Sequence, residues 1–298
     1  MRKEYLMAAI TIFSWATLPP MTKLFLSDFP SMTLLYYSSV IASVMLLLVL
    51  LLTGEIKQIK QYSKNDLLPM AGLGFLGNFL YSALYYKALT MISSIDACIL
   101  NYLWPVFAVI ASCIFLKERL TLGRIGAIIV SFIGVIFVTS KGTGFSMFLG
   151  NSILGCIYCV IAAVCYGAFN VLNKKFEKNQ WINTTFYFIL TAIIAGVFCH
   201  FSGQIMVPTV RQWIGILWLG LFIDAIGIVI WALALQKSKV SSLVNFAYAT
   251  PVVSMFLSAI LLHERIDIYS CIGLTLILVS FFIPKVNFRF LIHFTDML

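Results

Sequence analysis

Two stretches decide how this chain is built. "KALTMISSIDACILNYLWPVFAVIASCIFLKER" (residues 87–119) lies without a gap over "LALQKSKVSSLVNFAYATPVVSMFLSAILLHER" (residues 233–265) when the chain is slid by 146 residues. Apolar coincidences are cheap in such sequences. The weight rests on Tyr102/Tyr248, Pro105/Pro251, Glu118/Glu264 and Arg119/Arg265, identical pairs at fixed mutual spacing. A weaker echo relates "SWATLPPMTK", ending at Lys23, to "CYGAFNVLNK", ending at Lys174. One unit is present twice, as residues 1–145 and 146–298.

The surrounding composition says what that unit is made of. Of 298 residues, 61% are hydrophobic and 10% charged, with a mean hydropathy of +1.01, far from the range of soluble domains. Apolar runs of about 20 residues, enough to cross a bilayer, recur throughout. Ten spans are expected, at 5–26, 32–53, 67–88, 94–116, 121–140, 150–172, 181–202, 211–235, 241–262 and 267–287. The gap near Lys57 to Asp66 is only a connector. The alternation a lipid-facing barrel needs is absent, so the fold is all-α, with helices satisfying the backbone in lipid. Arg2 and Lys3 before the first run could open a cleaved signal peptide. The length of that run, with nine more behind it, indicates a retained span. Five spans per half is an odd number, so the second copy enters the membrane from the opposite side: the halves are inverted repeats, a carrier's architecture.

Charge gives an orientation. With a cytoplasmic N-terminus, the outer loops hold Lys23, Lys87, Lys141, Arg211 and Arg265, and the other fifteen of the 20 basic residues fall inside. Both termini are then cytoplasmic. The pI of 9.2 reflects this bias and no basic face, so nucleic acid is not an expected partner. Cys98, Cys113, Cys156, Cys159, Cys165, Cys199 and Cys271 mostly fall inside helices. The CxxC at Cys156 and Cys159 lacks a second pair or a histidine, so neither a disulfide, a metal site nor a cofactor is expected. The C-terminal "NFRFLIHF" (287–294) reads as an interfacial segment or a tail.

Pro105 and Pro251 lie near the middle of spans 4 and 9 and are candidate hinges. Each ring deletes a backbone donor and crowds the carbonyl four residues back, Asn101 or Ala247. In lipid a freed carbonyl must meet protein, water or ligand, so both kinks should face the interior. Polar residues at similar depth gather there by helical spacing: Asn78, Ser82 and Tyr85 in span 3, Asn101 and Trp104 in span 4, Tyr166 and Asn170 in span 6, Asp224 and Trp231 in span 8, Asn245 and Tyr248 in span 9, and Trp15 in span 1. The shift of 146 also sets Asn78 opposite Asp224. Asp224 is the sharpest of them, since an ionised Asp near a bilayer centre costs roughly 2.5–3.5 kcal/mol. It takes up a proton during transport, receives a substrate ammonium, or is a neutral, hydrogen-bonded structural group. Asp96 and Lys87, near the outer ends of spans 4 and 3, are expected to form a solvated rim pair.

The ten-span repeat with Pro, an apolar run and then "LKERL" or "LHERI" resembles the EamA family of the drug/metabolite transporter superfamily over nearly the whole chain. Within it, "SIDACILNYLWP" (94–105), "ITIFSWAT" (10–17) and "LNKKF" (172–176), with Trp231 and Tyr248 at their distances from Pro251, resemble the bacterial aromatic amino acid exporters. The resemblance implies helices around a central hydrophobic cavity, export without ATP, and residence in a bacterial plasma membrane. There are departures. Asn78 stands where that branch can carry an acid, Tyr166 where a tryptophan is usual, and "LLYYSSV" (34–40) lacks an arginine often found in span 2.

A wall of Trp15, Trp104, Trp231 and Tyr248, with Asn101, Asn170 and Asn245 as orienting partners, suits a flat or cationic small molecule. Two carriers fit: an exporter of amino acids or related metabolites, and a carrier of organic or quaternary ammonium cations. The partners expected are that small-molecule substrate and the bilayer, with the chain a monomer or weak homodimer. An intramembrane enzyme would need a clustered nucleophile, metal set or acid pair. His200, His263 and His293 lie near span ends, and no catalytic residue is expected.

Overall fold

The structure, a computed structural model, describes residues 3–26, 29–141, 151–176, 178–236 and 249–283, and these are helical with no strand among them. The elements are α1 (Lys3–Ala16), α2 (Leu18–Leu26), α3 (Ser31–Thr53), α4 (Lys64–Gly74), α5 (Tyr81–Leu89), α6 (Ser94–Asn101), α7 (Trp104–Phe115), α8 (Leu122–Ser140), α9 (Asn151–Lys175), α10 (Gln180–Phe201), α11 (Val210–Leu217), α12 (Ile228–Gln236), α13 (Thr250–Leu262) and α14 (Ile268–Ser280). A short 3-10 helix, Glu55–Gln61, fills the expected connector after α3. Among the described residues, seven stretches are long and apolar enough to cross a membrane: Ser31–Thr53, Lys64–Leu89, Ser94–Phe115, Leu122–Ser140, Ser152–Lys175, Gln180–Phe201 and Val210–Trp231. The protein is a multi-pass membrane protein. Shorter apolar helices, α13 and α14, occupy the positions of expected spans 9 and 10. Residues 241–248 of the former, 284–287 of the latter and the C-terminal segment lie outside the described residues.

Helix ends carry their own caps, as they must where donors would otherwise go unpaired. Ser93 accepts from the Asp96 N–H, Thr121 from that of Arg124, Asn179 from those of Trp181 and Ile182, and Asp267 from that of Ser270. Gly54 closes α3 at φ 75°, a left-handed conformation that costs glycine little.

Four irregularities interrupt the helices, and they repeat. A π segment, Phe75–Leu80, joins α4 to α5, and a second, Trp218–Gly227, joins α11 to α12. Moved by 146 residues, the first falls inside the second, with Asn78 on Asp224. The prolines recur as well, but not as kinks in continuous helices. The chain turns at Tyr102 and Leu103, and Pro105 sits in the first turn of α7; Ala249 turns and Pro251 opens α13. A first-turn residue has no intrahelical carbonyl to donate to, so the ring costs nothing there. Expected span 1 is likewise two helices, parted at Thr17 before Pro19 and Pro20.

Equivalent spans of the halves pack on each other: α3 runs along α10 and α8 along α14, while α7 lies on α9. The α8–α14 contact is backbone on backbone. A Cβ on Gly273 would fall 2.7 Å from the Gly134 carbonyl oxygen and 2.3 Å from Val138, and the Ser131 hydroxyl donates to that of Ser280 at 2.7 Å. Small residues of this kind let helices associate in lipid, where no hydrophobic force drives them together. Leu89, Ile99, Leu100, Leu103, Ile216, Leu219 and Ile277 are fully buried, whereas Leu48, Ile129, Ile193 and Ile260 line the outside.

The two Glu-Arg pairs sit at opposite ends of the bundle. The Ser94 N–H, at the start of α6, donates to Glu264 at 2.9 Å, while Glu118 follows the last residue of α7. The intervening pass of 22 residues spans about 30 Å. The expected Asp96–Lys87 rim pair does not form. Asp96 is buried and binds Lys141 (2.7 Å) and the Ser270 hydroxyl (3.0 Å), and Lys141 also reaches Asp267 (3.3 Å). The reason is local: Lys141 ends α8 in a left-handed turn, φ 42°, which brings its ammonium over the first turn of α6.

Replacing Gly273 with leucine should cost about 1–3 kcal/mol through overpacking against backbone, read as a lower melting temperature in detergent. Gly126→Ala, whose Cβ would meet only Ile283 at 3.5 Å, should leave it unchanged.

Candidate functional site

The π segment after α4 sets the aromatic side chains of α5. A π turn holds an extra residue and so rotates the next helical turns about the axis. Tyr81, in the first turn after it, faces the cluster. Its ring stacks on Tyr85 (centroids 6.0 Å, interplanar 6°) and on Tyr166 of α9 (4.7 Å, 29°). Trp104 meets Tyr166 edge-on at 5.3 Å and 81°, and Tyr166 continues onto Phe169 at 5.9 Å. Asn101, the last residue of α6, donates its amide to the Tyr81 hydroxyl at 3.1 Å, and its Oδ1 is buried with no hydrogen-bond partner. The broken pass thus delivers Asn101 from above the break and Trp104 from below it to one tyrosine pair.

Tyr81, Tyr102, Tyr166 and Asp224 are partly buried, whereas Tyr85 and Tyr86 are packed to 1% and 4% exposure. Asp224, in the second π segment, makes no hydrogen bond or ion pair with another described residue. Tyr86 lies within electrostatic range of both Asp224 and Tyr81, which places the carboxylate beside the aromatic cluster.

The second π segment is held by α1. The Ser14 hydroxyl donates to the Phe222 carbonyl at 2.8 Å, Thr11 to that of Gly227 at 3.5 Å, and the Trp218 indole to the Thr17 hydroxyl at 2.9 Å. Gly227 admits Trp15, whose Nε1 would lie 2.9 Å from a Cβ there. Trp15 in turn meets Trp231 at 5.4 Å.

Of the residues expected at the site, Asn101, Trp104 and Tyr166 come together, Trp15 and Trp231 form a separate pair, and Asp224 lies near Tyr86 with no hydrogen bond or ion pair to another described residue. Asn78 donates to the Thr191 hydroxyl of α10 at 3.0 Å and Asn170 to the Tyr166 carbonyl at 2.7 Å, so both amides serve helix contacts. Asn245 and Tyr248 lie outside the described residues. Tyr81 is not among the residues the sequence points to, although its i, i+4 spacing to Tyr85 within α5 is a signal that could have found it. Two larger clefts lie away from the cluster. One of about 550 Å³ is lined by Leu73, Leu76, Leu172 and Lys175, and one of about 450 Å³ by Ser93, Asp96, Thr139 and Lys141.

An all-helical membrane protein that gathers polar and aromatic groups at interrupted helices in its interior has the build of a solute transporter. The sequence matches the EamA-like transporter family over residues 2–140 and again over 153–283, and the chain belongs to that family. It is similar to an uncharacterized transporter of Archaeoglobus fulgidus, 24% identical over 283 residues that cover 94% of this chain and 98% of that protein. It is also similar to the aromatic amino acid exporter YddG of Ancylobacter novellus, 24% identical over 62% of this chain and 64% of that protein. The pseudopaline exporter CntI of Pseudomonas aeruginosa (strain UCBPP-PA14) is 22% identical over 72% of each chain. A solved crystal structure with a TM-score of 0.69 and 21% identity covers 97% of this chain and 98% of its own, and shares the fold.

Asn101→Leu separates binding from structure. It removes an unpaired buried acceptor together with the amide's bond to the Tyr81 hydroxyl, two effects of opposite sign, so the melting temperature should change little, while substrate affinity should fall by about 1–3 kcal/mol for a lost hydrogen bond. A lower melting temperature with unchanged affinity would assign Asn101 to packing.

Proposed function

We propose that this chain is a secondary carrier of a bacterial plasma membrane that exports aromatic or related amino acids, or similar small metabolites, by alternating access. The observation that supports the reading is the cluster of tyrosine and tryptophan faces beside the Asp224 carboxylate, which makes no hydrogen bond or ion pair with another described residue. Rings supply apolar contact to a flat side chain, and the carboxylate suits an ammonium. The names of two relatives, an aromatic amino acid exporter and a pseudopaline exporter, point the same way. Two halves threaded in opposite senses, ten spans and cytoplasmic termini complete the proposal. The positions of Glu118 and Glu264 at opposite ends support the threading, and the bias of basic residues supports the orientation.

Asp224 favours a second reading, a carrier of organic or quaternary ammonium cations, because a carboxylate among aromatic rings needs no carboxylate-binding group in its partner. Uptake of radiolabelled amino acids and quaternary amines into inverted vesicles, with and without a proton gradient, separates the two. Amino acid uptake with weak amine competition is expected, and exclusive amine transport would move the assignment to the second reading. Asp224→Asn should lower transport or abolish its pH dependence; a variant indistinguishable from the parent in both would remove Asp224 from the mechanism.

A further inference from the structure

The ends of the bundle differ in a way the sequence repeat makes informative. At one end Glu264, from the second half, sits on the N-terminus of α6 in the first. Its carboxylate accepts from the Ser94 N–H (2.9 Å), the Ser94 hydroxyl (2.9 Å) and the Ile95 N–H (3.0 Å), and pairs with Lys23 of α2 (3.1 Å). Lys23 also donates to the Ile92 carbonyl. Burial alone would raise this carboxyl, but the two amides and Lys23 outweigh it and hold it below the ordinary glutamate value. The contact is therefore charged at neutral pH, and it ties one half to the other.

At the opposite end the equivalent residues are present but apart. Glu118 is the repeat mate of Glu264, and Lys174 at the end of α9 is that of Lys23. Lys174 lies within electrostatic range of Glu118 without forming an ion pair with it. Glu118 is held instead by Arg124 (2.7 Å) and the Ser112 hydroxyl (3.2 Å), both of its own half, and its side chain is 42% exposed. Arg124 has no counterpart in the second half, where the shift of 146 lands on Ser270, so only Glu118 has a partner to fall back on. Closed, Glu118–Lys174 would join the halves at this end as Lys23–Glu264 joins them at the other.

We infer that Lys23–Glu264 and Lys174–Glu118 are the two cross-half locks of the transport cycle, one shut and one open in this structure, which exchange states when the cavity changes sides. The inference rests on the carrier reading and adds to it the residues that position the halves. It also explains why the glutamate recurs in both copies: each is the movable member of a lock, and Arg124 parks one of them while its end is open. Exchange requires that Glu118 leave Arg124 for Lys174, that Glu264 release α6, and that the neighbouring Asp96–Ser270 and Lys141–Asp267 contacts, which also join the halves at that end, part with it.

The test is crosslinking in the full chain reconstituted in lipid. Lys23→Cys/Glu264→Cys and Lys174→Cys/Glu118→Cys are treated with a short bis-methanethiosulfonate, with the parent and its seven native cysteines as control and linked peptides read by mass spectrometry. Both pairs are expected to link, and each link to bring transport near background, reversibly on reduction. No link between positions 174 and 118, or either link leaving transport at its unlinked rate, overturns the inference. The yields need no substrate. A parent that moves none of the vesicle panel while both pairs link would therefore sink the proposed cargo and leave the exchange of locks standing.

Discussion

In the bilayer core a carbonyl that leaves the helical ladder has no water to turn to, and every interruption of a helix must find a protein or ligand partner. The architecture of this chain follows from that constraint. The π segment Trp218–Gly227 is tolerated because Ser14 and Thr11 of α1 reach the Phe222 and Gly227 carbonyls. Thr17 is free to accept the Trp218 indole because α1 itself breaks there. Prolines at 105 and 251 are tolerated because the helices restart at them. Interruptions that need partners cannot face lipid, so they collect inside, and they carry Asn101, Trp104, Tyr81 and Asp224 with them.

The same logic divides the interior into work of two kinds. Asn78 and Asn170 spend their amides on Thr191 and on the Tyr166 carbonyl, which is helix cohesion. Asn101 Oδ1 and Asp224 make no hydrogen bond or ion pair among the described residues, and an unmet polar group in such a place costs a few kcal/mol unless something else meets it. The ends obey other rules. There Lys141, Asp96, Asp267 and Ser270 form one network and Lys23, Glu264 and the N-terminus of α6 another. Close packing of α8 on α14 and of α3 on α10 keeps the bundle together while the contacts at its ends change.

Much of this is legible in the sequence, for reasons that can be named. Apolar runs bounded by charge announce membrane helices because the bilayer imposes a length, and the Pro and Glu-Arg pairs announce the repeat because they are few enough not to coincide by chance. The features hidden from the sequence depend on geometry finer than a 3.6-residue period. The π turn at Phe75–Leu80 changes the register of Tyr81 and Tyr85 relative to the residues of α4, and no regular helical period contains that extra residue. The rim pair differs from expectation because Lys87 is near Asp96 in sequence, whereas the left-handed turn at Lys141 brings its ammonium there from α8. Pro105 reads as a kink because the apolar run continues through it; only the backbone shows α6 ending at Asn101 and α7 beginning at Trp104.

The cavity and its two locks need the copies to cross the membrane in opposite directions. The direct measurement places single cysteines at Lys117 and at Arg265 and labels them with a membrane-impermeant maleimide, in intact cells and in inverted vesicles, against the parent's own cysteines. Reaction at 265 only from outside and at 117 only from inside is the predicted result. Labelling of both positions from the same side would contradict the inverted threading, and the shared cavity would go with it.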